Sequence, residues 1–298
     1  MDLRIGLAQC KLKLGDLEAN VAIHEEWIRR ARASGVDFLV FPELSLTGYL
    51  LQDMVGDLAM GIDDPHLKNL ARSAKDMSLC VGGIEESEGH AQYIASFYLE
   101  QGKVKHVHRK VYLASYGVFD EARFVGAGSS VVAARTRHGR IGFSICEDSW
   151  HPSLVTTLLL DGAQLVVVQT ASPVRDLREG EMPQNARTWV DTLRTYARLY
   201  GCYIAFCNRV GSEDGLVFWG RSVLLGPDGE EVAVGPLYEE ELVVGEVDFE
   251  RVRQARLSNP ILRDEKIELT CRELGRIAAS RSLAASLDEA ASEQGDGE

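Results

Sequence analysis

Three side chains of complementary chemistry stand where apolar runs end. Cys146 closes Ile141-Gly-Phe-Ser-Ile and is followed by Glu147, Asp148, Ser149 and Trp150. A strand exit holds a side chain rigidly at the rim of a sheet, and the turn beyond it exposes backbone N–H groups. A nucleophile and part of an oxyanion site can then come from adjacent residues. Glu43 follows the run Phe38-Leu-Val-Phe41 immediately after Pro42, which ends the strand because proline cannot donate to a sheet ladder. Between Phe41 and Leu44 the charged form of Glu43 is disfavoured, which lifts its pKa toward the range of a general base. Lys110 leaves a strand pattern that runs from Gly102 to Arg109. Taken singly, each has an ordinary reading: a buried free thiol, a loop glutamate and a solvated lysine. Together they are far more specific.

The elements that must carry them alternate. A strand Leu3–Gln9 leads to a helix from Leu17 to Ser34, with Val21, His24, Trp27, Ile28 and Ala31 at helical spacing and Gly35 as its stop. Strand Phe38–Phe41 is followed by a helix near Pro65–Met77 and strands near Leu79–Ile84, Ile94–Glu100, Gly102–Arg109, Val131–Arg135 and Arg140–Ile145. A helix over Pro152–Leu160 precedes a doubly buried strand Leu165–Gln169. Pro183 opens a further helix whose stripe is Ala186, Val190, Leu193, Ala197 and Tyr200; Arg187, Asp191, Arg194 and Arg198 read as its solvated face. Strands near Tyr203–Cys207, Val223–Leu225 and Val243–Val247 complete the pattern. This is an α/β chain with helices layered on sheet and no internal linker or repeat. Periodicity leaves a doubly wound sheet and a two-sheet sandwich both open.

The order Glu43, Lys110, Cys146, in the wording F-P-E-L-x-x-x-G-Y, H-R-K and C-E-D-x-W, resembles the Glu-Lys-Cys triad of the nitrilase, or carbon–nitrogen hydrolase, superfamily. The resemblance spans Met1 to about Arg263. Within that superfamily Tyr116-Gly-Val-Phe-Asp-Glu121, Ala171-Ser-Pro173 and Asn208-Arg-Val-Gly are most similar to the glutamine-amidase domain of glutamine-dependent NAD synthetase. The resemblance implies a four-layer αββα sandwich that pairs with a second subunit. It gives a hydrolase domain over 1–263 and a helical extension over 264–281 that reaches the partner; from Ser282 the composition of Ala, Ser, Glu, Gln and Gly has little to bury, and a disordered tail over 282–298 is expected.

It also implies roles. A free thiol has a pKa of about 8.5, so Glu43 takes the Cys146 proton as sulfur attacks an amide carbonyl. Lys110 and the Glu147 backbone N–H receive the oxyanion, ammonia leaves, and water releases the acid from a thioester. Glu121 matches the second glutamate used by family members, with Asp120 its confusable neighbour. Tyr49, Tyr116, Glu147 and Ser172 are the expected substrate-binding residues; Trp150 and Trp219 are candidate pocket walls, Trp219 equally a core residue. Two departures stand against a strict glutamine reading: Thr170 replaces the family asparagine before Ala-Ser-Pro, and Val174–Gln184 is charged, with Arg175 or Arg178 available to a substrate carboxylate. The leading substrate is a small linear amide such as glutamine. A carbamoyl-amide or nitrile hydrolase is the runner-up, and a non-catalytic subunit beside a separate ammonia-using synthetase is the reading from another class.

Other chemistries are excluded or set aside. The six cysteines form no Cys-x-x-Cys pair. His106 and His108 share a strand face without a third ligand, which reads as a partly exposed pair rather than a metal site. No Gly-x-Ser-x-Gly elbow or P-loop occurs, and Gly126-Ala-Gly128 lacks the third glycine of a dinucleotide fingerprint. No Ser-Gly-Gly-x-Asp-Ser segment occurs, so the ATP-using half of the resembled enzyme is not expected, and no cofactor or metal is implied. The 298 residues carry a formal charge of −13, which argues against nucleic acid and anionic membranes as partners. The start at an apolar strand without a leader, and unpaired-looking cysteines, give the expectation of a cytoplasmic protein.

Overall fold

The computed structural model of the chain describes residues 2–175 and 182–295, with side chains described as far as Arg281. It divides into two compact units, 1–259 and 260–298. Among the described residues the first carries fourteen strands. β1 (Asp2–Gln9), β2 (Phe38–Val40), β3 (Ser78–Glu86), β4 (Gln92–Glu100) and β5 (Lys103–Arg109) come first. β6 (Ala134–Thr136), β7 (Gly139–Ile145), β8 (Leu165–Thr170) and β9 (Tyr203–Asn208) follow. The chain continues through the hairpin β10 (Val210–Glu213) and β11 (Leu216–Trp219), then β12 (Val223–Leu225), β13 (Glu231–Val234) and β14 (Glu241–Asp248). The first sheet has the order β14-β1-β2-β3-β4-β5, the second β13-β12-β9-β8-β7-β6. The sandwich reading therefore holds, and the single doubly wound sheet does not.

The two sheets meet face to face. Ile5, Leu7, Phe38, Val40 and Tyr98 from the first pack against Ile141, Phe143, Leu165, Val167 and Ala205 from the second. The outer face of the first sheet is covered by α1 (Leu17–Ala33) and α2 (Pro65–Ser73), whose Trp27, Ile28, Leu67 and Leu70 join Leu39, Phe41 and Leu79. α3 (Pro152–Leu160) lies on β7 and α4 (Gln184–Tyr200) on β9 and β12, which makes the fourth layer. Full burial of each large apolar side chain contributes about 1.5–3 kcal/mol, so this interior fixes the strand ends on which a site can be built. α5 (Phe249–Ser258), capped by Asp248, sends Val252 into the layer between the sheets. In the second unit, α6 (Ile261–Asp264) precedes α7 (Ile267–Gly295). The tail expected from 282 lies beyond the described side chains. Among the described residues no helix is long and apolar enough to cross a membrane.

Several boundaries differ from the pattern reading. α2 stops at Ser73, not Met77, because Arg32 takes the Ser73 carbonyl and pairs with Asp76, fastening the chain after the helix to α1. β6 starts at Ala134 because Ala133 N–H is drawn to Asp161 at 2.8 Å. Hairpin β10–β11 went unread: Val-Gly-Ser-Glu has no clear alternation, yet its Asp214-Gly215 turn, with φ of 44° and 84°, is a strong hairpin signal. The arginine face of α4 is not simply solvated. Arg194 and Arg198 reach the Gly229 and Asp228 carbonyls and the side chains of Glu231 and Glu230, pinning the β12–β13 turn.

Candidate active site

Glu43, Lys110 and Cys146 each lie one to three residues beyond β2, β5 and β7, and the sandwich brings these exits together. Lys110 is fully buried, and its Nζ donates to Glu43 Oε1 and to Glu121 Oε1, both at 2.7 Å. Glu43 is likewise buried, and its Oε2 accepts from the Ala171 N–H at 2.9 Å. That bond ties a carboxylate of the first sheet to the end of β8 in the second. Glu121 also accepts from the Ala114 N–H at 2.9 Å and from the Tyr49 hydroxyl at 2.5 Å. Its neighbour Asp120 is exposed, so of the two acids it is Glu121 that joins the cluster. Leu44 and Cys146 have left-handed φ of 50° and 46°, which turns the chain sharply at two of the strand exits.

The electrostatics follow from one ammonium between two carboxylates in a dry interior. Burial alone would push Lys110 down, but Glu121 and Glu43 outweigh it and hold it well above its ordinary value, as an ammonium. Burial raises Glu43; the Lys110 charge opposes this only in part, and Glu121 adds to the rise. Burial, then the Glu43 carboxylate, pushes the Cys146 thiol well up. The thiol is therefore held protonated beside a carboxylate of raised basicity. Attack by sulfur in this setting needs its proton removed in the same step.

A cavity of about 290 Å³ opens on Cys146. Tyr49, Glu147, Trp150, Ser172 and Arg175 also line it; Glu43, Lys110 and Glu121 do not. Tyr116, 44% exposed, is outside the lining, and its hydroxyl donates to Glu147 at 2.7 Å. Arg175 stacks over the Tyr116 and Phe119 rings. Arg178 lies outside the described residues. Trp219 is fully buried and also reaches the site, donating through Nε1 to Ser172 Oγ. Among the described residues no group of three or more His, Cys, Asp or Glu could hold a metal ion. His108 is no exposed strand residue: it is buried and bonded to Asp148 at 2.9 Å, while His106 is half-buried beside Phe143.

Pattern reading gave Asp148 no role, and it organises the site. Its Oδ1 accepts from Val111 and Tyr112 N–H, each at 2.9 Å, and its Oδ2 from Ile145 N–H at 3.1 Å and His108. One carboxylate thus grips the chain just after Lys110 and just before Cys146. Glu213 was also missed. On β10, it accepts from the Tyr49 and Leu50 N–H groups at 2.8 and 2.7 Å, its charge matched by buried Arg209 at 2.6 Å. Side-chain spacing gave no signal for it, because the Tyr49 and Leu50 N–H groups that it binds are distant in sequence. Gly126 and Gly128, set aside as a nucleotide loop, donate their N–H groups to the Gln92 and Lys110 carbonyls. A Cβ on Gly128 would lie 2.4 Å from the Arg109 carbonyl oxygen, so glycine lets this segment close over the Lys110 exit.

The chain resembles known proteins over most of its length. The family model for carbon–nitrogen hydrolases matches residues 4–257. A glutamine-dependent NAD(+) synthetase of Thermotoga maritima is 33% identical over 267 residues, 87% of this chain and 44% of that protein. The chain spans less than half the length of that relative. The solved glutamine-dependent NAD+ synthetase of Acinetobacter baumannii superposes with a TM-score of 0.75 at 26% identity, over 85% of this chain and 47% of that one. A carbon–nitrogen hydrolase from Helicobacter pylori shares the fold at a TM-score of 0.81 and 22% identity, over 92% and 99% of the two chains. Because that family model matches nearly the whole first unit and a relative is 33% identical over 87% of the chain, the chain belongs to the carbon–nitrogen hydrolase family, the nitrilase superfamily.

Proposed function

We propose that this chain hydrolyses the C–N bond of a small linear amide through a thioester on Cys146, with glutamine the first candidate. The observation that supports this most is the buried Lys110 bridging Glu43 and Glu121 in a chain whose Cys146 lines a cavity. The Cys146 sulfur attacks the amide carbon as its proton passes to Glu43. Lys110 Nζ and the Glu147 N–H take the oxyanion. Protonated Glu43 gives its proton to the amide nitrogen, the C–N bond breaks and ammonia departs. Water then loses a proton to Glu43 as it adds to the thioester, and the C–S bond breaks, returning that proton to sulfur. Such base assistance contributes about 10²–10⁴ in rate. Glu121 orients Lys110 and is itself held by Tyr49.

Glutamine is favoured because the cavity pairs an acid, Glu147, held by Tyr116, with a cation, Arg175, and a hydroxyl, Ser172. Together they suit an ammonium and a carboxylate on one small substrate. The 33% identity to a glutamine-dependent NAD(+) synthetase supports a second proposal, that the ammonia serves a synthetase. The test is ammonia release from glutamine, aliphatic amides, N-carbamoyl compounds and nitriles, with Cys146→Ala as blank. Turnover of glutamine above the others and none in the variant is expected. Equal rates in Cys146→Ala would refute the thioester; preference for a nitrile would replace the amide.

A further inference from the structure

Ser172 sits in a ring of donors. Trp189 Nε1 on α4 and Trp219 Nε1 on β11 each lie 3.2 Å from its Oγ, and Asn185 Nδ2 lies 3.4 Å away. Its own backbone N–H is fixed to Asn208 Oδ1 at 2.9 Å. A serine hydroxyl has two acceptor positions and one proton, whereas an indole N–H can only donate. With two indoles filling its acceptor positions, the hydroxyl has only its proton to offer, and Ser172 lines the cavity. The indoles cannot swing away. Trp189 is wedged between Trp150 and Phe206 at centroid distances of 4.5 and 5.3 Å, and Trp219 stacks on Phe206 at 5.7 Å.

We infer that Trp189 and Trp219 are positioning residues that set the polarity of Ser172, making it an obligate donor so that the cavity selects amides bearing a carboxylate. An ammonium or amide N–H arriving at Ser172 meets a proton and no free lone pair; a carboxylate oxygen accepts from it, with Arg175, also in the cavity lining, supplying positive charge. The inference deepens the amidase reading and rests on it for the identity of the reacting end.

The test compares glutaric acid monoamide with pentanamide, which replaces the carboxylate by a methyl group. In Trp219→Phe, which removes one neutral hydrogen bond to the Ser172 hydroxyl and frees an acceptor position, the ratio of kcat/KM for the two is expected to fall about two- to tenfold, and to appear in KM more than in kcat. In a Ser172→Ala background the same change should lower the ratio no further, because the indole acts through the hydroxyl. Trp189→Phe gives the same reading if Trp219→Phe does not fold. Glutarate binding to Cys146→Ala, with and without Trp189→Phe, reads the polarity by calorimetry even where no amide is turned over. Wild-type turnover of neither amide, with glutarate still bound about two- to tenfold more weakly once the indole is lost, would count against the amidase reading and for this one. An unchanged ratio, or an equal loss in the Ser172→Ala background, would reduce the indoles to packing and overturn the inference.

Discussion

Replacing Asp148 by asparagine tests whether one buried carboxylate sets the spacing of Lys110 and Cys146. Asp148 is fully buried and accepts from three backbone N–H groups and His108. Asparagine keeps a single acceptor oxygen. If that oxygen stays on Val111 and Tyr112, the new NH₂ group faces the Ile145 N–H, donor against donor. His108 can change tautomer to accept from it, so one contact recovers. A hydrogen bond to a charged group contributes about 1.5–3 kcal/mol and a neutral one about 0.5–1.5. Losing one and weakening the others, offset by the lower cost of burying a neutral amide, leaves a loss of about 2–4 kcal/mol. In urea unfolding the midpoint should fall by about 1 M at unchanged slope, taking roughly 3 kcal/mol/M for the slope. The Ile145 contact lies one residue before Cys146, so turnover should also fall, about 10²-fold for a displacement of about 1 Å. An unchanged midpoint with kcat/KM within about twofold of wild type would refute the clamp.

Three further outcomes follow from the same geometry. Lys110→Met leaves two buried carboxylates without their cation; a loss of about 3–5 kcal/mol in stability and about 10²–10³ in turnover is expected by thermal melts and kinetics. Glu43 must be ionised to act as base, and its pKa is raised above the ordinary 4.5, so kcat/KM should rise with pH along a limb whose midpoint lies above 4.5. A midpoint at or below that value would remove Glu43 from the role. Gly82→Ala would place a Cβ 2.5 Å from Leu44 N and 2.7 Å from the Pro42 oxygen. Overpacking against backbone costs about 1–3 kcal/mol, and here it should shift the Glu43 turn and lower kcat as well as the melting temperature.

Strand exits were legible because apolar runs end where chemistry begins: Pro42 before Glu43, the elbow at Cys146 and the β5 exit at Lys110 all read from local pattern. The choice between one sheet and two was not, since burial on both faces of β8 looks the same in either. Nor was the burial of Lys110, because a lysine is solvated by default until long-range folding supplies two carboxylates. Asp148 and Glu213 were invisible for a related reason: their partners are mostly backbone N–H groups distant in sequence, which leave no trace in side-chain spacing. Tyr49, Glu147 and Ser172 were found only through family wording, and all three line the cavity that opens on Cys146.

The left-handed turn at Cys146 has a consequence for how this protein can be improved or worn down. Any L-residue with φ near 46° carries about 1–2 kcal/mol of steric cost that glycine escapes. Cys146→Ala keeps that cost, whereas Cys146→Gly relieves it, so an inert chain should be harder to melt than the one bearing the thiol. Directed evolution for heat resistance alone would then be drawn toward erasing the proposed nucleophile. A stabilising programme for this fold has to hold position 146 fixed and gather its gains elsewhere.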